Sequence, residues 1–376
     1  MRNLLALVVA AASTTIACSS VRNNGPDGES VDVTTTDTTT NDAAADATAS
    51  DAAMDTTSTD TPDEGSTIDA GDDTNTPDAS ADTSVTDSSD VTDGGLTTLF
   101  GSAFSPTNDT RYDEIDTLFG AIQVRRSYDN ASGVMPFLNT YQAQDVARGA
   151  ASAYSFKYTP SEVTAGMHDT EIQSFFMGIR ADHPVFWTYW HEPDDELYVR
   201  HTFTPAEYRA AWAHIRAIAD SVRATRPRLV IYATLIIMEY SMRPAIAPSR
   251  PLLGANGMYP GDDVIDVFGV DAYNAAADSG GETDAMMQFG KVIDFAEAHH
   301  KRWAIGEFGS CPVMGDSNGR TTYINNAVRY WISRGNPPAY AAWFNVDWPT
   351  CDYRLDTDAP ARMRWHDAVT MGLSAF

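Results

Sequence analysis

Residues 184–225 read PVFWTYWHEPDDELYVRHTFTPAEYRAAWAHIRAIADSVRAT. The first seven are almost wholly apolar or aromatic, without the polar alternation of a half-exposed strand, which suits a strand buried on both faces. The run stops at His191 and Glu192, and Pro193 closes it. A helix start follows: Thr204 can cap, Pro205 suits the first turn, and Glu207 completes a capping box before the amphipathic run to Thr225. This is one strand feeding one helix.

The pattern recurs along the chain. Strand-like runs stand at 96–104, 121–129, 149–158, 184–192, 228–236, 264–273, 302–309 and 339–348, with helix-like stretches between them. Continuously apolar strands alternating with helices imply a parallel sheet covered on both faces. A doubly wound open sheet is the competitor, but no GxGxxG follows the first strand and GxxxxGK[ST] occurs nowhere. The expectation is therefore α/β, a single (β/α)8 TIM barrel. In such barrels chemistry sits at the C-terminal strand ends. Here those ends carry Lys157, His191, Glu192, Asp271, Tyr273, Glu307 and the stretch Trp343 to Trp348.

The barrel is expected over residues 98–376, preceded by two segments of different character. Residues 1–18 have a basic start, a short apolar run and TIAC, which resembles a bacterial lipobox ending at Cys18. Thr15 departs from the Leu usual there. Residues 19–97 are rich in Thr, Asp, Ala and Ser with almost no large apolar side chain, a composition expected to stay disordered. Within residues 21–97 there are 19 acidic residues against the single basic Arg22, so most of the net charge of −27 belongs to this linker. That charge argues against a nucleic-acid partner and says little about substrate. The reading is an exported chain, lipid-anchored to the cell envelope through Cys18 or secreted, and touching a membrane only through that anchor. A monomer is expected.

Glu192 ends the fourth run and Glu307 the seventh, each among apolar and aromatic neighbours, FWTYWHEP and WAIGEFG. Either alone reads as a solvated strand-end carboxylate. As a pair facing each other across a cleft they suit glycosidic cleavage, one as proton donor and the other as nucleophile or activator of water. Arg125 and Arg126, in the second strand, read either as neighbours of Glu307 or as structural ion pairs. The acidic run Asp194 to Glu196 reads as a solvated loop.

The placement of one catalytic Glu at the fourth strand and another at the seventh resembles the clan A retaining glycoside hydrolases. WHEP, FGVDAYN and IGEFG together are similar to glycoside hydrolase family 26, best known for β-mannanases. The resemblance implies a retaining endo-β-glycosidase acting on a polysaccharide, β-1,4-mannan or glucomannan first, without metal or organic cofactor. Glu192 would be the acid/base and Glu307 the nucleophile. His191 would bind at the subsite of the cleaved sugar, and Tyr273 would donate to the nucleophile. From their strand positions rather than from the resemblance, Asp271 and Arg126 read as support for the same site. Trp343 would lie under the active-site sugar, with Trp190, Trp348 and Tyr353 as further stacking platforms.

The chain departs from the family at two points: Thr188 stands where an Arg is common, and SFKYTP after the third strand lacks the mannanase His. A clan A β-glucanase or xylanase, or a glycan-binding protein without turnover, stays open as an alternative. Cys311 and Cys351 follow the seventh and eighth strands, on one rim, and are expected to form a disulfide. Zinc hydrolysis lacks support, since Asp195 stands where HExxH needs its second His.

Overall fold

The computed structural model describes residues 97–104, 109–129 and 137–376; the signal segment, Cys18 and nearly all of the acidic linker lie outside them. Eight strands close a barrel: β1 (Leu99–Ala103), β2 (Val124–Asp129), β3 (Ala151–Phe156), β4 (Val185–Tyr189), β5 (Ile231–Met238), β6 (Val267–Tyr273), β7 (Arg302–Gly309) and β8 (Tyr340–Phe344). Each is parallel to the next, and β1 pairs with β8. The helices are α1 (Asp109–Phe119), α2 (Gln142–Arg148), α3 (Pro160–Thr164), α4 (Asp169–Gly178), α5 (Asp194–Tyr198), α6 (Pro205–Thr225), α7 (Ala285–Ala298), α8 (Gly319–Ser333) and α9 (Ala359–Met371). The (β/α)8 expectation holds, and α6 begins with the capping box read from Thr204 and Glu207.

The regularity fails once. Between β5 and β6 the chain makes only short 3-10 turns, at Glu239–Met242 and Ala247–Ser249. Pro244, Pro248, Pro251 and Pro260 withhold amide donors from this stretch, and Gly254 and Gly261 turn it through positive φ, so no long helix can form.

Strand alternation sorts the side chains into two layers. Val124, Phe186, Val267, Ala304 and Tyr340 fill the barrel interior, while Trp187, Trp303, Ile305, Phe308 and Trp343 pack outward in the large core shared with the helices. In β7 this alternation is interrupted. Val270 pairs with Ile305 but Asp271 with Glu307, so Gly306 is an extra residue in the ladder. The bulge lets Gly306 and Glu307 both face inward before Phe308 resumes the outward phase. Without it, Glu307 would point into the helix layer.

The eighth run is shorter than its sequence suggested. After Phe344 the chain forms a two-stranded hairpin, β9 (Asp347–Trp348) with β10 (Cys351–Asp352). The expected disulfide joins Cys311 to Cys351, tying this hairpin to the loop after β7. Arg320 of α8, buried, donates to the carbonyls of Asp352 and Arg354 and fixes the hairpin from below.

Candidate active site

Three carboxylates converge at the C-terminal mouth of the barrel. Glu192, Asp271 and Glu307 each place an oxygen within 4.8 Å of the others. Asp271 is inaccessible and Glu307 nearly so, whereas Glu192 is partly open to solvent.

The end of β4 is bent to deliver Glu192. Trp190 and Glu192 both have positive φ, 47° and 51°, a conformation costly for side-chain-bearing residues and typical of functional sites. The amides on this turn remain paired: Trp190 donates to the Phe156 carbonyl and Glu192 to that of Ile236, both at 2.9 Å. Burial first, and the charge of Glu307 second, push the Glu192 carboxyl up from 4.5 to about 8. Lys157 opposes this shift. Burial and the Glu307 charge both favour the protonated form of Glu192.

Glu307 is held differently. The Tyr273 hydroxyl donates to its Oε2, which makes that oxygen an acceptor. Arg126, fully buried on the inward face of β2, lies 4.7 Å over the Tyr128 ring. Burial alone would lower the guanidinium pKa, but Tyr128, Tyr340, Asp271 and Glu307 together raise it, so it stays charged beneath the site. Arg125 points the other way. Its Nε meets Asp145 at 2.9 Å in a buried pair outside the barrel, away from Glu307.

His191 is buried, and its ring lies 5.2 Å from that of Tyr128. Desolvation, with Lys157 and Arg126 nearby, keeps its pKa well below 6.5 and its imidazole neutral. The ring can then both donate and accept. Lys157 sits 5.6 Å over the Trp190 ring, which also packs edge-on against Phe203 at 4.7 Å and Tyr189 at 6.4 Å.

The aromatic expectations divide. Trp343 faces outward, fully buried between Phe308 and Trp365, and its indole N–H donates to the Tyr353 carbonyl at 2.9 Å. It presents no ring face to the cleft. The neighbouring Phe344 takes the inward place instead, half-exposed, with Tyr273 at 5.8 Å, Tyr353 at 5.5 Å and Trp348 at 6.2 Å. Trp348 belongs to the disulfide-tied hairpin.

The acidic run after Glu192 is not a solvated loop. Asp194 is fully buried and accepts from the Met238 amide at 3.0 Å, and Asp195 pairs with Arg250 at 2.9 Å. These contacts pin the loop that carries Glu192. Tyr128 and Gly306 were not anticipated. Tyr128 shares the inward phase of Val124 and Arg126, a period-two signal present in the sequence, whereas nothing there marks the bulge at Gly306.

The closed parallel barrel with carboxylates at the ends of β4 and β7 can be set beside solved structures. The fold is like that of solved family 26 structures. A modular endo-β-1,4-mannanase from Cellulomonas fimi superposes with TM-score 0.52 at 15% identity, covering 74% of this chain and 73% of that one. GH26C from Muricauda sp. MAR_2010_75 gives 0.51 at 13%, covering 73% and 86%. An endo-β-1,4-glucanase from Xanthomonas axonopodis pv. citri gives 0.51 at 11%, covering 73% and 99%. No family model matches the sequence, and no curated protein does.

Proposed function

We propose that this chain is a retaining endo-β-glycosidase hydrolysing a β-linked polysaccharide, with β-1,4-mannan or glucomannan as first choice. The observation that carries the reading is the unequal pair at the barrel mouth. Glu192 is held neutral by burial and by Glu307, while Glu307 accepts a hydrogen bond from Tyr273. Two carboxyl groups in unlike surroundings suit the two roles, Glu192 as acid and Glu307 as nucleophile. One oxygen of each lies within 4.8 Å of the other, so both can reach a single anomeric centre, and we read the pair as that of a retaining enzyme, whose carboxyl groups stand roughly 5–5.5 Å apart.

In the first step a Glu307 oxygen bonds to the anomeric carbon as the glycosidic bond breaks, and Glu192 gives its proton to the leaving oxygen. In the second, water attacks that carbon, gives a proton to Glu192 and frees Glu307. Tyr273 orients the nucleophile, and neutral His191 binds a sugar hydroxyl beside it. Phe344, Trp348 and Trp190 supply apolar faces for neighbouring rings. We assign export and a lipid anchor at Cys18 to the same proposal, the acidic linker giving the barrel reach towards an insoluble polymer.

The test is reducing-sugar release by the full chain from β-mannan, glucomannan, β-1,4-glucan, xylan, lichenan and β-1,3-glucan. The mannanase and glucanase among the structural neighbours set the span of this panel. Glu192→Ala and Glu307→Ala should each lose about a thousandfold or more on the polymer that is cut. Retention on a polymer without hydrolysis would replace the enzyme by a binding protein.

A further inference from the structure

Asp271 is the carboxyl group that a two-carboxylate mechanism leaves unused. It faces inward from β6 and is fully buried, and its carboxyl hydrogen-bonds that of Glu192. The backbone of Gly306 lies against it, since a Cβ built there would be 2.5 Å from Asp271 Oδ1 and 3.4 Å from Arg126 Nε.

The groups facing it come from every side of the barrel. They are Arg126 and Tyr128 on β2, Glu192 after β4, Glu307 on β7 and Tyr340 on β8, with Tyr273 two residues along its own strand. Strand β5 contributes the apolar Ile236, and Lys157 after β3 acts on Glu192. Two cations, the buried Arg126 and the partly buried Lys157, thus face three carboxyl groups. A low-dielectric site cannot hold all three ionised. Glu307 accepts from the Tyr273 hydroxyl, and Arg126 lies close enough to both Asp271 and Glu307 to feel their charge.

We propose that Asp271 works as a neutral carboxylic acid, a positioning residue whose O–H donates to the Glu192 carboxylate formed when Glu192 protonates the leaving oxygen. This role rests on the glycosidase reading. The Asp271 proton stays in place throughout. Glu192 loses its own proton to the glycosidic oxygen and recovers one from the attacking water, and between the two steps the Asp271 hydroxyl stabilises its charge. Burial first, and then Glu307 and Glu192, push the Asp271 carboxyl well above the usual range, in the direction this role requires.

Two measurements on the full chain test it. Aspartate labelled with 13C at the side-chain carboxyl, with the Asp271 signal assigned through Asp271→Asn, reads protonation directly. The signal should keep the shift of a neutral acid from pH 5 to 7.5, and titration in the ordinary aspartate range overturns the proposal. In hydrolysis, Asp271→Leu should lower kcat about thirtyfold or more with little change in KM. Asp271→Asn, which keeps a donor, should recover most of that loss and leave the basic limb of the pH profile in place. Equal losses in both variants, or a basic limb displaced downward in Asp271→Asn, would show an anion or a purely structural residue. If the wild type cuts none of the polymers, the functional reading fails and this role with it, while the titration still decides whether Asp271 is neutral. If the wild type cuts but the titration or variants disagree, only this inference fails.

Discussion

At the scale of single residues the decisive quantity is the proton on Glu192. Its carboxyl is raised from 4.5 to about 8, burial being the largest cause and Glu307 the next. A carboxyl with its folded pKa above its unfolded one binds its proton more tightly in the native state, so it costs stability progressively as pH rises from about 4.5 to about 8. Glu192→Gln removes that cost. Thermal melts should therefore show the variant gaining on the wild type by a few degrees, about 2–4 °C per kcal/mol, between pH 5 and pH 8.5. A variant that falls behind as pH rises would mean that Glu192 is already ionised in the fold. The meeting of Glu192, Glu307 and Tyr273 at one mouth was legible because they sit in short motifs at predictable strand ends. Trp343 was misread for a physical reason: in AYAAWF both alternating faces carry Ala and an aromatic, so the pattern cannot say which ring turns inward.

At the scale of elements the site depends on one irregularity, the β7 bulge. Gly306 allows it, because any side chain there would overlap Asp271 Oδ1 at 2.5 Å and Ile236 Cδ1 at 2.8 Å. Gly306→Ala should lose about 1–3 kcal/mol in urea unfolding, the usual cost of overpacking, and should lower activity by displacing Glu307. Wild-type behaviour in both assays would show that the bulge does not position the nucleophile. The eight strands could be read from their apolar runs, and α6 from its cap. The bulge could not, because register is a property of two strands and the sequence displays one at a time. The missing fifth helix was legible after the fact in four prolines between β5 and β6, but the rhythm of the repeat hid it.

At the scale of the whole molecule, eight recurring strand and helix signals imply closure, and closure places residues 192, 271 and 307 around one mouth although they are scattered over more than a hundred positions. What the sequence lacked was their separation. The fold brings one oxygen of each within 4.8 Å of the others, close enough for all three to act on one sugar centre. The most direct test is proton NMR of the first product released by the full chain from the polymer it cuts, recorded before mutarotation. The account predicts that the new reducing end appears as the β-anomer. An initial α-anomer, or no product from any β-linked polymer, would contradict it.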